Sequence, residues 1–158
     1  HLCGFELFEN ATFYVQQSEL DFWSARSRRD DIIMGSVDRQ SLEALETLDA
    51  RGRLQACNGP IEFWPGLRAV PVGGHTPGLQ VLVVETQSGN TILASDALHF
   101  YENYERRRPV QVTLNLPDAL DAFDHIEKLA EGGRVIAGHD ALTQTFGVQR
   151  AEHVFQIA

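Results

Sequence analysis

Apolar residues alternate with polar ones in short runs over much of the chain, and a helical period takes over in three places. Residues 11–16 alternate and predict a strand, and Ser18 is placed to cap a helix over 18–25. Residues 24–36 are rich in Arg, Asp and Ser with few apolar anchors, and predict a surface loop or frayed helical insert. Between Ser36 and Asp49, Val37, Leu42, Leu45 and Leu48 fall near helical spacing, with Gly52 as the stop. Residues 54–56, 61–64 and 67–72 predict strands separated by Asn58-Gly59-Pro60 and Pro65-Gly66, a punctuation that implies a β-meander. Residues 80–85 and 91–94 predict a hairpin around 87–90, with Leu82, Val84, Ile92 and Ala94 on a common core face. The clearest helix covers 117–131. Pro117 lies in its first turn, Asp118 and Asp121 near its positive end, and Gly132-Gly133 after it; Leu120, Phe123, Ile126 and Leu129 or Ala130 supply the buried stripe. A short apolar strand then leads to His139, so the order strand, helix, strand marks an α/β (α+β) chain.

Composition narrows the partners. With 158 residues and 43% hydrophobic content, one globular domain with a sizeable core over 1–158 is expected. The formal net charge of -9 argues against a nucleic-acid footprint, which shows a basic face, and favours a small-molecule substrate. No apolar run reaches the roughly 18 residues of a membrane span, so no membrane partner is expected, and a homodimer is the one assembly anticipated. Cys3 and Cys57 make no disulfide framework, which suits a reducing, cytoplasmic setting. No repeat, linker or low-complexity tract occurs.

Three strand ends carry the candidate chemistry. Gly74-His75-Thr76-Pro77-Gly78 presents a histidine in a glycine-flanked turn directly before a strand. After that strand and the next, Ser95-Asp96 places a carboxylate past a strand end, and Gly138-His139-Asp140 delivers a second histidine after glycine. Imidazole nitrogen and carboxylate oxygen are the usual ligands of a hydrolytic zinc or similar divalent ion. Two such ions, about 3.5 to 4 Å apart, can share a carboxylate and generate a nucleophile at neutral pH. The structural alternatives are a turn histidine held by a hydrogen bond and a strand-end aspartate cap.

The order GHTPG, strand, SD, strand, GHD resembles the metallo-β-lactamase superfamily over essentially the whole chain. The opening His1-Leu2-Cys3-Gly4-Phe5-Glu6-Leu7-Phe8, followed by Asn10-Ala11-Thr12-Phe13-Tyr14-Val15-Gln16, is similar to the segment after that superfamily's HxHxDH motif. This string and Asp96-Ala97-Leu98-His99-Phe100-Tyr101-Glu102 most resemble the N-acyl homoserine lactonase group. The resemblance implies an αββα sandwich incomplete at its N-terminal half, the chain being a fragment holding the C-terminal two-thirds of the domain. It implies two divalent metal ions, zinc above all, with His1, His75, Asp96 and His139 as ligands, and a hydrolase that opens a lactone ring, N-acyl homoserine lactone first. Asp96 and His99 are the catalytic candidates. His99 stands where such lactonases tend to have a tyrosine that contacts the substrate carbonyl, so it is either an oxyanion donor or a pocket wall, with Tyr101 and Tyr104 as alternative substrate contacts. The aspartate that would protonate the departing alkoxide belongs to HxHxDH and has no counterpart here. A glyoxalase II-like thioesterase, a β-lactamase and a catalytically incomplete binding module remain alternatives. On its own, this piece is expected to bind metal weakly and hydrolyse little. Cys3, His125, His153 and the run Arg106-Arg107-Arg108 are read as structural or solvated.

Overall fold

A computed structural model describes residues 2, 4–26, 35 and 37–157. The chain forms two compact units, His1–Asn58 and Gly59–Ala158. His1, Cys3 and most of the arginine-rich stretch 24–36 lie outside the described residues.

In the first unit, β1 (Phe13–Gln16) leads directly into α1 (Gln17–Asp21) and a π-helical turn (Phe22–Arg26). Ser18 therefore lies inside the helix; Gln16 occupies the cap position without a side-chain capping bond. The next helix, α2 (Arg39–Ala50), is capped by Asp38, whose carboxylate accepts from the Gln40 amide at 3.1 Å. Phe5, Ala44 and Leu48 form the centre of this unit's core. The strand β2 (Leu54–Cys57) pairs with β1 in parallel and not with the strands that follow it. The expected meander therefore starts one strand later, because partner choice is a tertiary matter that turn punctuation does not encode.

The second unit is built on a five-stranded sheet ordered β3 (Ile61–Trp64), β4 (Leu67–Pro71), β5 (Gln80–Thr86), β6 (Gly89–Leu93) and β7 (Arg134–Ile136). The first four strands are antiparallel neighbours, and β7 joins β6 in parallel. A parallel neighbour requires a crossover, supplied here by α3 (Tyr101–Glu105) and α4 (Leu116–Ala130). The Asn115 side chain caps α4 by accepting from the Asp118 amide at 3.3 Å, and Pro117 sits in the first turn, where a missing N–H costs nothing. Its buried stripe is Ala119, Ala122, Phe123, Ile126 and Ala130, with Leu120 only half-buried. Small residues on that face let the helix lie close to the chain beneath it. The helix ends at Glu131, itself left-handed at φ 50°, before Gly132 and Gly133.

The core of this unit joins Val70, Val81, Val83, Ile92, Leu98 and Ile126, with Ala94, Ala130 and Ala137 between them. Register fixes the phase: Val83 lies opposite Ile92 and Leu82 opposite Leu93. The buried residues of β5 are thus Val81 and Val83, while Leu82 and Val84 point to the other face and are half-buried. Residues 81–84 are all apolar, so the two-residue period cannot choose between faces. A last hairpin, β8 (Val148–Ala151) and β9 (Val154–Gln156), closes the unit. No helix among the described residues is long and apolar enough to cross a membrane.

Candidate metal centre

The candidate ligands gather beyond the carboxyl ends of β4, β6 and β7. His75 lies in the loop 72–79. The amides of Val72 and Gly73 close that loop by donating to the Leu79 carbonyl at 2.8 and 3.1 Å. Gly74 adopts φ 89°, and a Cβ there would stand 2.5 Å from Cα of Ala119, at the start of α4. Glycine is required on both counts. The amides of Leu114 and Asn115 donate to the carbonyls of His75 and Gly74 at 3.2 and 3.0 Å, which holds the loop against the approach to α4.

Asp96 sits in a single 3-10 turn, Ser95–Ala97, immediately after β6. The parallel pairing of β6 and β7 continues past the strand ends. The Ala94 amide donates to Ile136, the Gly138 amide to Leu98, and the His139 amide to His99 at 3.0 Å. Gly138 is again forced, since a Cβ would come within 2.5 Å of the Ser95 carbonyl oxygen. Two glycines next to two histidines thus allow the close backbone approaches that present those rings.

The result is a cluster around one carboxylate. His139 Nε2 lies 2.8 Å from Asp96 Oδ1, and His99 Nε2 lies 4.0 Å from the same oxygen. His75 Nε2 lies 3.8 Å from Oδ2. The His99 ring stands edge-on to His75, at 5.1 Å between centroids, and stacks on His139 at 4.9 Å. Asp96 is 11% exposed, His75 and His99 each 17%, and His139 43%. Burial pushes the His99 ring below the usual imidazole range, opposed by the Asp96 charge, with His75 and His139 pushing the same way as burial. A neutral imidazole is the form that ligates metal.

The three histidines and the aspartate therefore meet, as the spacing predicts for His75, Asp96 and His139; His1 is outside the described residues. Tyr101 and Tyr104 are placed differently. The Tyr101 hydroxyl donates to the Val135 carbonyl at 3.1 Å and accepts from the Ala137 amide at 3.2 Å, while Tyr104 packs edge-on against Phe123. Both rings pack against the core of the unit. The cleft beside the cluster is lined by Asn103, Val110 and Thr113. Sequence reasoning gave none of these three residues a part in a site. The polar groups of Asn103 and Thr113 are engaged locally, with the Phe100 amide, the Arg108 carbonyl and the Val110 carbonyl. Asp140 accepts from the amides of Tyr101 and Leu142, tying the segment after His139 to the start of α3. His125 and His153 are exposed, and Arg106 and Arg107 pair with Glu102 and Asp124.

No family model matches the chain. Over 52 residues, 32% of its length, the chain is 42% identical to an N-acyl homoserine lactonase of a Bacillus species, of which that stretch is 21%. The same identity and coverage hold for the N-acyl homoserine lactonase AiiA of Bacillus thuringiensis subsp. kurstaki. Among solved structures, an N-acyl homoserine lactone hydrolase with N-hexanoyl-L-homoserine bound at its catalytic metal center superposes with a TM-score of 0.68 at 22% identity, covering 92% of this chain and 53% of that one. The hydrolase AbOPH of the β-lactamase superfamily gives 0.69 at 20% identity, covering 86% and 50%. AidC, a dizinc quorum-quenching lactonase, gives 0.63 at 20%, covering 85% and 49%. The chain spans about half the length of these structures, and the matched stretch about a fifth of the lactonase sequences. The fold is that of the metallo-β-lactamase superfamily. Within it the chain resembles the N-acyl homoserine lactonases.

The donor set fits a divalent cation. Ligand atoms around a tetrahedral zinc stand about 3.4 Å apart, given bonds of about 2.0–2.1 Å. The 3.8 Å and 4.0 Å separations from Asp96 are close to that spacing and too long for hydrogen bonds. His75 Nδ1 is buried with no hydrogen-bond partner among the described residues. A buried nitrogen left so costs about 1–3 kcal/mol.

Proposed function

We propose that this chain carries the metal-binding strand ends of a divalent-metal hydrolase that opens lactone rings, with N-acyl homoserine lactones as the substrate class. The observation that carries the reading is the convergence of His75, His99 and His139 on the two oxygens of Asp96 at the ends of three strands. Asp96 presents one oxygen toward His75 and the other toward His139, and these three residues would hold the ions. When bound, the ions would polarise the ester carbonyl and lower the pKa of water. The chain's own residues would orient them: Asp96 by its central carboxylate, His75 and His139 through backbones fixed by Gly74 and Gly138. The short match to lactonases supports a lactone over the thioester or β-lactam alternatives.

The test is hydrolysis by the zinc-loaded chain of N-hexanoyl homoserine lactone, S-lactoylglutathione and a chromogenic β-lactam, each followed by product mass and acid release. Slow zinc-dependent opening of the lactone is expected, absent from Asp96→Asn. Preference for either of the other two substrates would overturn the substrate assignment. Zinc uptake without turnover on any of them would favour a binding module.

A further inference from the structure

His99 is not among the ligands that the motif order supplies, yet it is placed like one. The donor atoms of His75, Asp96 and His99 all lie within 4.8 Å of one another, a grouping that could hold a single ion. His99 is as deeply set as His75 and more so than His139. Its ring is held between two others: His75 stands against it edge-on and His139 stacks upon it, while its backbone carbonyl accepts from the His139 amide. A neutral imidazole keeps a lone pair on one ring nitrogen.

We propose that His99 is a metal ligand, forming with His75 and Asp96 a three-donor nitrogen, nitrogen, oxygen site for one divalent cation. This deepens the metal-hydrolase reading and rests on it. Three protein ligands leave a fourth position open for water or substrate, the arrangement of catalytic zinc sites. His75 Nε2 stands 3.8 Å from Asp96 Oδ2 and His99 Nε2 4.0 Å from Oδ1, each near the tetrahedral spacing of about 3.4 Å.

Cobalt(II) titration of the full chain tests this, with affinity read by chelator competition and geometry by the visible d–d absorption. The variants are His99→Phe, His99→Gln, His75→Ala and, as an exposed control on α4, His125→Ala. Both His99 variants are expected to lose at least about tenfold in affinity and to change the d–d band, whereas His125→Ala matches the parent. Metal-free circular dichroism of both variants separates a lost ligand from a lost fold. Parental affinity and spectrum in both His99 variants, with binding lost in His75→Ala, would overturn the ligand role and leave the hydrolase reading standing. If the parent chain takes up no cobalt, both fall.

Discussion

The His139 ring and the Asp96 carboxylate meet at 2.8 Å although 43 residues separate them in the chain. The contact is set by the parallel pairing of β6 with β7, whose hydrogen bonds run on through residues 94 to 99 and 136 to 139. Each residue enters the cluster from the carboxyl end of its strand. The whole αβ crossover between them, including α4, serves to return the chain to that point.

Gly138 sets the closeness of this contact, because a Cβ there would lie 2.5 Å from the Ser95 carbonyl oxygen. Gly138→Ala is therefore expected to cost about 1–3 kcal/mol as an overpacked backbone contact and to weaken zinc binding by moving His139. Urea unfolding and zinc titration of the same sample check both effects. Unchanged stability would mean that the two strand ends are not held together as described.

Tyr101 bonds one backbone group within β7 and one just past its end. Tyr101→Phe is expected to destabilise the chain by about 1–2 kcal/mol, the value of hydrogen bonds that leave partners unpaired, without altering metal affinity. A variant of parental stability with a raised KM for the lactone would instead return Tyr101 to the substrate role that its sequence position suggests.

Glu131 closes α4 in the left-handed region at φ 50°, where a β-carbon is disfavoured and glycine is common. Its neighbours leave the side chain exposed. Glu131→Gly is expected to stabilise the chain by about 0.5–1 kcal/mol, the left-handed strain relieved less the unfolded-state entropy of glycine, seen as a higher melting temperature. A lower one would show that the unfolded-state entropy of glycine outweighs the relieved strain.

Arg107 donates to both oxygens of Asp124 across the turn between α3 and α4, at 2.6 and 3.2 Å. That hydrogen bonding holds the Asp124 carboxyl below its ordinary value of 3.8. A lowered folded-state value means that the pair's contribution is complete above the ordinary carboxylate range and is lost as pH falls through the lower value. Asp124→Asn should therefore melt slightly below the parent at pH 7, and the gap should close in acid. Thermal melts across pH 2 to 7 measure it; a gap independent of pH would remove the ion pair as its cause. The pair is solvent-exposed, so added salt should narrow the gap as well.

The sequence by itself determined the features that local chemistry controls. The glycines at 74 and 138, the helix α4 with Pro117 in its first turn, the β5–β6 hairpin and the three polar residues at strand ends were all legible, because turn conformation and strand length depend on neighbours a few residues apart. Tertiary structure decided the rest. The run of four apolar residues at 81–84 has no phase until β6 pairs with β5 and α4 covers one face, and β2 has no partner until β1 is beside it. His99 lies three residues from Asp96 in every conformation, but only the stacking of His139 and the edge of His75 turn it into the cluster. Tyr101, equally close in sequence, is drawn to the backbone of β7 instead. Side-chain direction at such positions depends on packing between distant segments, and no local period carries that information.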